Sequence, residues 1–291
     1  MPPADIERLC RAIVPGTGAI EIQTLAKGLI SETYRVVRDG ETYALKAAAA
    51  HRADFGLDLA WEAQVLERAG SSKLAPPLVY CDPKHVVSRW VVGRSWSPQE
   101  VMRAANITKI AALLRRVHAL SVPLPARVMS PMSWIQVYGA ALSLHTPGAA
   151  DGLLPAAAES RLQQLAELPA AAGVVCHSDM HAMNLIEVDE TLTLLDWEYA
   201  HVSDPLWDLA GWAANGDFAP ETQRQLLMNY LGTAPTPLQW KRLRLLMWLY
   251  DYVCLRWSEL YLKMHGDGVN GIRKRATLLD ARLRLPAHYA A

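Results

Sequence analysis

Phenylalanine is nearly missing from this 291-residue sequence: two Phe stand against ten Trp and ten Tyr. Aromatic packing must therefore rely on rings that carry a polar atom. Cysteine is also scarce. Cys10, Cys81, Cys176 and Cys254 are widely scattered with no C-x-x-C pair, which argues against a disulfide framework or structural zinc site and suits a reducing cytoplasm. Net charge is absent, with 29 Lys plus Arg against 29 Asp plus Glu, so no electrostatic footprint for nucleic acid or an anionic membrane is expected. Nor is there an uninterrupted apolar run. The longest uncharged stretch, 128–150, is broken by Pro131, Gln136, His145, Pro147 and Gly148, and the N-terminus MPPADIERLC has no apolar signal core. Core material is plentiful: 51% of residues are hydrophobic and 20% charged, which excludes a disordered chain and leaves room for two domain-sized units.

The first ninety or so residues read as strands with one internal helix. IEIQTLA, ETYRVVRD, ETYALKAAA, LVYC and HVVSRWVV are short runs of β-branched and aromatic residues. Asp39-Gly40 marks a tight hairpin, because both central positions of such a turn want positive φ. LDLAWEAQVLERAG reads as a helix closed by Gly70. After Gly93 a 3.6-residue apolar period takes over in QEVMRAANITKIAALLRRVHAL, GLLPAAAESRLQQLAEL and 238–262. One strand-like island, 174–200, interrupts the helices. The expectation is an α+β chain with a small β-rich lobe over 1–92 and a larger helical lobe over 93–291.

The island VVCHSDMHAMNLIEVDETLTLLDWEYA carries the chemistry. Asp179 and Asn184 are spaced D-x-x-x-x-N, and Asp196 ends the apolar run TLTLL. Phosphoryl transfer needs a carboxylate to take the hydroxyl proton and Asn and Asp oxygens to hold magnesium. Upstream, Lys46 lies on the third strand and Glu62 on the following helix, an arrangement that suits a phosphate-binding lysine held by a carboxylate. KGLISETYRV before it can form the turn over the phosphates, Gly28 allowing close approach and Ser31 offering a hydroxyl. Neither G-x-G-x-x-G nor G-x-x-x-x-G-K-[ST] occurs, so a Rossmann site or P-loop is unsupported. Zinc ligation by Cys176, His177 and His181 lacks a fourth ligand, and a Ser-His-Asp hydrolase lacks its G-x-S-x-G elbow. His177 and His181 are read as orienting the loop.

HSDMHAMN followed by LLDWEYA resembles the catalytic and magnesium motifs of the aminoglycoside phosphotransferase and choline kinase superfamily, whose fold is protein-kinase-like with two lobes. DWEYA…DPLWDLAGW is closer to bacterial choline/ethanolamine and thiamine kinases than to antibiotic-modifying enzymes. The likeness runs through GLISETYRVV, YALK, WEAQVL, the hinge-like SRWVVG and LLRRVHAL, to about residue 216. It implies that the lobe over 1–92 binds nucleotide and the lobe over 93–291 holds the catalytic groups and an acceptor, that Asp179 is the catalytic base and that Asn184 and Asp196 bind Mg2+. Lys46 would hold the ATP phosphates with Glu62 as its partner, and Asp208 would brace the catalytic loop. Two departures stand out. Ser178 occupies a position where Gly or Asn is frequent, and Glu32 stands where Asn is common in the phosphate loop. Trp197 and Glu198 replace the Phe-Gly of protein kinases, which agrees with the small-molecule branch.

For the acceptor, the helical segment WLYDYVCLRWSELYL sets Tyr250, Trp257 and Tyr261 on one stripe and Trp248 with Tyr252 on another. Aromatic faces near Asp251 or Glu259 suit an organic cation, while aromatics on a long helix equally suit core. Glu198, Trp248, Tyr252 and Trp257 are the acceptor candidates. The expected activity is ATP- and Mg2+-dependent phosphorylation of a hydroxyl on a small cationic molecule, choline first, with thiamine or an aminoglycoside-like amino alcohol next. A nucleotide-binding pseudokinase regulator is the rival reading. Neither nucleic acid nor a membrane is an expected partner.

Overall fold

The computed structural model describes residues 3–27, 30–121, 125–145, 153–266, 271–285 and 289. In chain order the elements are α1 (Pro3–Ile13), β1 (Ile20–Lys27), β2 (Ser31–Arg38), β3 (Glu41–Ala48), α2 (Leu59–Ser71), β4 (Leu78–Cys81), β5 (His85–Arg89), α3 (Pro98–Val101) and α4 (Ala104–His118). There follow α5 (Pro131–His145), α6 (Leu153–Ala166), β6 (Val174–Cys176), β7 (Leu185–Val188), β8 (Thr191–Leu194), β9 (His201–Ser203), α7 (Leu206–Asn215), α8 (Pro220–Leu231), α9 (Pro237–His265) and α10 (Ile272–Leu283). Among the described residues no helix is long and apolar enough to cross a membrane.

The chain divides into two compact units that are not contiguous in sequence. The first comprises Met1–Ala53, Leu57–Ser95 and Asn184–Tyr199. Its antiparallel sheet has the order β1-β2-β3-β5-β4. The expected hairpin turn is present: Asp39 and Gly40 both have positive φ, and the Asp39 carboxylate accepts from the backbone N–H groups of Thr17 and Gly18. Alternation along β2 and β3 sends Tyr34, Val36, Tyr43 and Leu45 to one face, where they pack with Val87 against Ile6, Cys10 and Val14. Helix α1, for which the sequence carries no expectation, supplies Ile6 and Cys10 at an i, i+4 spacing. Buried Arg38 donates to the carbonyls of Arg11 and Val14 at the end of that helix.

Gly70 is a correction. Helix α2 runs through it to Ser71, and the left-handed residue beyond the helix is Lys73. A Cβ at Gly70 would lie 3.2 Å from both Pro76 O and Pro77 Cα, so this glycine serves a close backbone crossing instead of a cap. The strand read as HVVSRWVV stops at Arg89.

The hairpin β7–β8 was expected with the helical lobe but belongs to the first unit. Arg94 and Glu187 exchange backbone hydrogen bonds of 3.1 and 2.8 Å, and Leu194 N donates to Leu74 O. The hinge-like segment ending at Gly93 is therefore pinned inside this unit, whose division from the next falls after Ser95. A Cβ on Gly93 would meet Ile186 at 2.5 Å and the backbone O of Glu187 at 2.6 Å. Gly93→Ala should therefore cost about 1–3 kcal/mol as an overpacked contact. Differential scanning calorimetry should show a lowered Tm, and an unchanged Tm would disprove this close-approach role.

The second unit comprises Asp54–Gly56, Trp96–Met183 and Ala200–Ala291. Helix α9 is its axis: it starts with a Thr236–Gln239 capping box, buries residues on every side and packs against α5, α6, α7 and α10. The single helix expected from Gln99 to Leu120 is two, α3 and α4, with Met102 and Arg103 between them. Strand β6 pairs with β9. The loop after β6 holds Asp179.

Candidate active site

Within the first unit, Lys46 sits where strand register places it. Its cross-strand partner is Thr33, on the face opposite Tyr34 and Leu45 and toward α2. Its Nζ lies 3.2 Å from Glu62 Oε1, 2.5 Å from Asp196 Oδ1 and 2.6 Å from Glu198 Oε2. Arg52 Nη2 donates to the other Glu62 oxygen at 2.9 Å. Burial opposes the charge on Lys46, but the carboxylates of Asp196, Glu198 and Glu62 outweigh it and hold the ammonium well above its ordinary range. Glu198 is pushed up to about 7 by burial first and by neighbouring Asp196 second, with Lys46 pulling the other way. The sequence placed Glu198 among the acceptor residues; the structure puts it in this lysine cluster.

Asp196 follows β8 with a φ of 60°. Its bend is fixed on both sides: Leu195 N donates to Asn184 O at 2.8 Å, and buried Trp197 donates its indole N–H to Leu194 O at 3.0 Å. The same hairpin register brings Asn184 to the open end of β7–β8 beside residues 195 and 196. Ser31 is buried and pairs with Ala48, on the Lys46 face of the sheet. Glu32 lies on the opposite face, where its carboxylate accepts from the Tyr34 hydroxyl at 2.5 Å. A carboxylate beside ATP phosphates would repel them, and register turns that of Glu32 away from the Lys46 face. Gly28 lies outside the described residues.

With three carboxylates around it, Lys46 carries structural as well as electrostatic weight. The sequence alone predicts little thermal effect from Lys46→Ala if the side chain is not structural, a condition that its buried carboxylate partners do not meet. Glu62 is 3% and Glu198 9% exposed at the side chain, so removing their cation should cost about 3 kcal/mol. Lys46→Arg should retain most of the Tm. A melt of Lys46→Ala that matches wild type would refute the cluster's structural role.

The Asp179 loop belongs to the second unit and is held from below. Asp208, 1% exposed, accepts from the backbone N–H groups of His177 at 2.8 Å and Ser178 at 2.7 Å, and His118 Nε2 lies 3.2 Å from it. His118 reaches the Tyr230 hydroxyl with its other nitrogen. Ser178 has a φ of 70°, which explains why Gly or Asn suits this position, and its hydroxyl lies 3.0 Å from His201 Nδ1. Asp179 N donates to His177 Nδ1, and the Asp179 carboxylate lies 3.3 Å from His181 Nε2. Burial would raise the Asp179 pKa, but the His181 hydrogen bond and the charges of His181, His177 and Arg275 bring it down to about 2. His118, Cys176 and Asp208 place three ligand-type atoms within 4.8 Å, yet the Asp208 oxygens are already engaged by the loop.

The acceptor aromatics separate. Trp248 is fully buried, donates to Leu283 O, stacks on Tyr252 and has the Arg161 guanidinium 4.2 Å from its ring centre. Tyr252 is 4% exposed. These two are core. Trp257 is half-buried, stacked on Tyr261 and tilted against Phe55. The two nearby acids are paired, Asp251 with Arg282 and Tyr289, Glu259 with Arg256. Arg52, His118 and Arg275 were not anticipated. LLRRVHAL contained His118 without any spacing that tied it to Asp208, and Arg275 lies in helices that matched only as helices.

A profile described as the phosphotransferase enzyme family matches residues 21–246. Protein LicA of Haemophilus influenzae is 27% identical over 116 residues, covering 38% of this chain and 42% of that protein. The chain thus spans well under half the length of this curated relative. A choline/ethanolamine kinase family protein from Mesorhizobium loti superposes with a TM-score of 0.74 at 23% identity, covering 99% of this chain and 98% of that one. Choline kinase LicA from Streptococcus pneumoniae gives 0.77 at 20% identity, covering 96% and 98%. At these identities the structural likeness is one of fold, the kinase-like fold that the motifs implied.

Proposed function

The chain belongs to the phosphotransferase enzyme family, and from that premise we propose that it transfers the γ-phosphoryl group of ATP to a hydroxyl of a small molecule. The observation that carries this reading is the cluster around Lys46. Three carboxylates face the two cations Lys46 and Arg52, and Asp196 keeps 41% of its side chain open. This excess of negative charge, with Asn184 beside Asp196, forms an all-oxygen donor set that suits a hard divalent cation. Asn184 and Asp196 would hold Mg2+, which when bound neutralises phosphate charge. Lys46, steadied by Glu62, would bind the phosphates. Asp179, ionised at neutral pH, would take the proton from the acceptor hydroxyl. A weak base suffices if the transition state is loose, because the proton then leaves late.

Choline or a related amino alcohol is the first acceptor, since relatives of this fold are named for it, with thiamine and aminoglycosides next. A second reading, a neutral or anionic acceptor, is favoured by the positive Arg275 near Asp179 and by Arg161 already covering the Trp248 face. The test measures acceptor-dependent ADP formation with ATP and Mg2+ across choline, ethanolamine, thiamine, aminoglycosides, sugars and hydroxy acids. At least one alcohol should stimulate turnover. ATP binding with no stimulated turnover would sink the enzyme reading and favour the pseudokinase regulator.

A further inference from the structure

The main chain on both sides of Asp179 is fixed, by Asp208 on Ser178 N, by His177 on Asp179 N, and by Asn215, whose side-chain amide donates to Met180 O at 3.0 Å. The carboxylate itself still has two torsions to settle. His181, two residues on, puts Nε2 3.3 Å from Oδ2, with the two side chains 21% and 26% exposed. A carboxylate only accepts hydrogen bonds, so Nε2 carries the hydrogen in this contact. Other charged or titratable groups whose fields reach Asp179 include His177 on the same loop, Arg275 on α10 and Tyr250 and Cys254 on α9.

Resting on the reading of Asp179 as base, we propose that His181 is a positioning residue that holds Oδ2 and with it the rotamer in which the carboxylate receives the acceptor proton. In the transfer the acceptor O–H bond breaks as its oxygen bonds the γ-phosphorus. The bond from that phosphorus to the bridging oxygen breaks, ADP keeps the electron pair, and the proton ends on the Asp179 carboxylate. His181 moves no proton. It fixes a rotamer whose loss scatters the base about its productive position.

The experiment is steady-state kinetics of wild type, His181→Ala, His181→Gln, Asp179→Asn and the Asp179→Asn/His181→Ala double variant. It uses the best acceptor, or water as acceptor if none outruns hydrolysis, beside an ATP titration and a thermal melt. His181→Ala should lower kcat by about 10–10²-fold with KM and ATP Kd within about twofold. His181→Gln, which keeps an N–H donor, should recover most of the loss. In the Asp179→Asn background His181→Ala should add less than about threefold, because the two act as a unit. Unchanged kcat in His181→Ala, a Gln variant as slow as Ala, or fully additive losses would each overturn the proposal. If His181→Ala does not fold, wild-type kcat in His181→Gln against a loss in a second variant, His181→Leu, carries the same decision. Wild-type kcat in Asp179→Asn would instead remove the base reading itself, and this inference with it.

Discussion

Asp179→Asn is expected to lower kcat by about 10²–10⁴-fold, the usual contribution of positioned proton transfer, while ATP binding stays close to wild type. An alcohol has a pKa far above 7, so some group must take its proton as it attacks. Asp179 is the carboxylate of the D-x4-N loop, and the asparagine keeps its shape while removing nearly all its basicity. The low pKa of about 2 defines the pH behaviour. Because the folded value lies below the ordinary 3.8, the stabilising contribution of the ionised group is complete above that value and lost as pH falls toward 2. An acid limb in the activity profile at pH 5–6 therefore belongs to another group. Steady-state kinetics on the best acceptor checks the main point, and a variant within about threefold of wild type would take Asp179 out of the base role.

Asp196→Ala should cut turnover by at least about 10²-fold, as loss of a group that stabilises developing phosphate charge does. The protein should stay folded. The Lys46–Asp196 pair is open to water on the Asp196 side, and such exposed pairs contribute only about 0–1 kcal/mol. Glu62 and Glu198 still flank the lysine in the variant. With the Asp196 charge gone, Glu198 should ionise more readily, since that charge is the second cause of its raised pKa after burial. Near-normal turnover in saturating Mg2+ would remove Asp196 from the mechanism. A matching loss of Tm would show a structural role instead.

What the sequence made legible was local. The Asp39-Gly40 turn and the strand-like runs on either side of it depend on neighbours in the chain, and both are found where expected. What it hid was set by distant partners. Gly70 looks like a helix stop, but its need for a missing Cβ comes from Pro76 and Pro77 crossing it. Helix α1 is short, and its apolar face has meaning only against Leu45 and Val87. Glu198 follows a strand that pairs locally, yet its carboxylate answers to a lysine 152 positions earlier. Trp248 and Tyr252 share a stripe, as periodicity predicts, but periodicity cannot tell a buried stripe from one lining a pocket.

The inclusion of residues 184–199 in the first unit has a consequence for synthesis. Translation proceeds at about 5–20 residues per second, so roughly 4–18 s separate the emergence of Ser95 from that of Asn184. During that interval the nascent sheet holds Lys46 and Arg52 with Glu62 alone for charge balance, and Gly93 faces no β7. The N-terminal segment is thus an unfinished folding unit for as long as the intervening helices are being made. Its last structural piece arrives together with Asn184 and Asp196, so the lysine cluster and the candidate metal ligands come into being in one late step of chain growth.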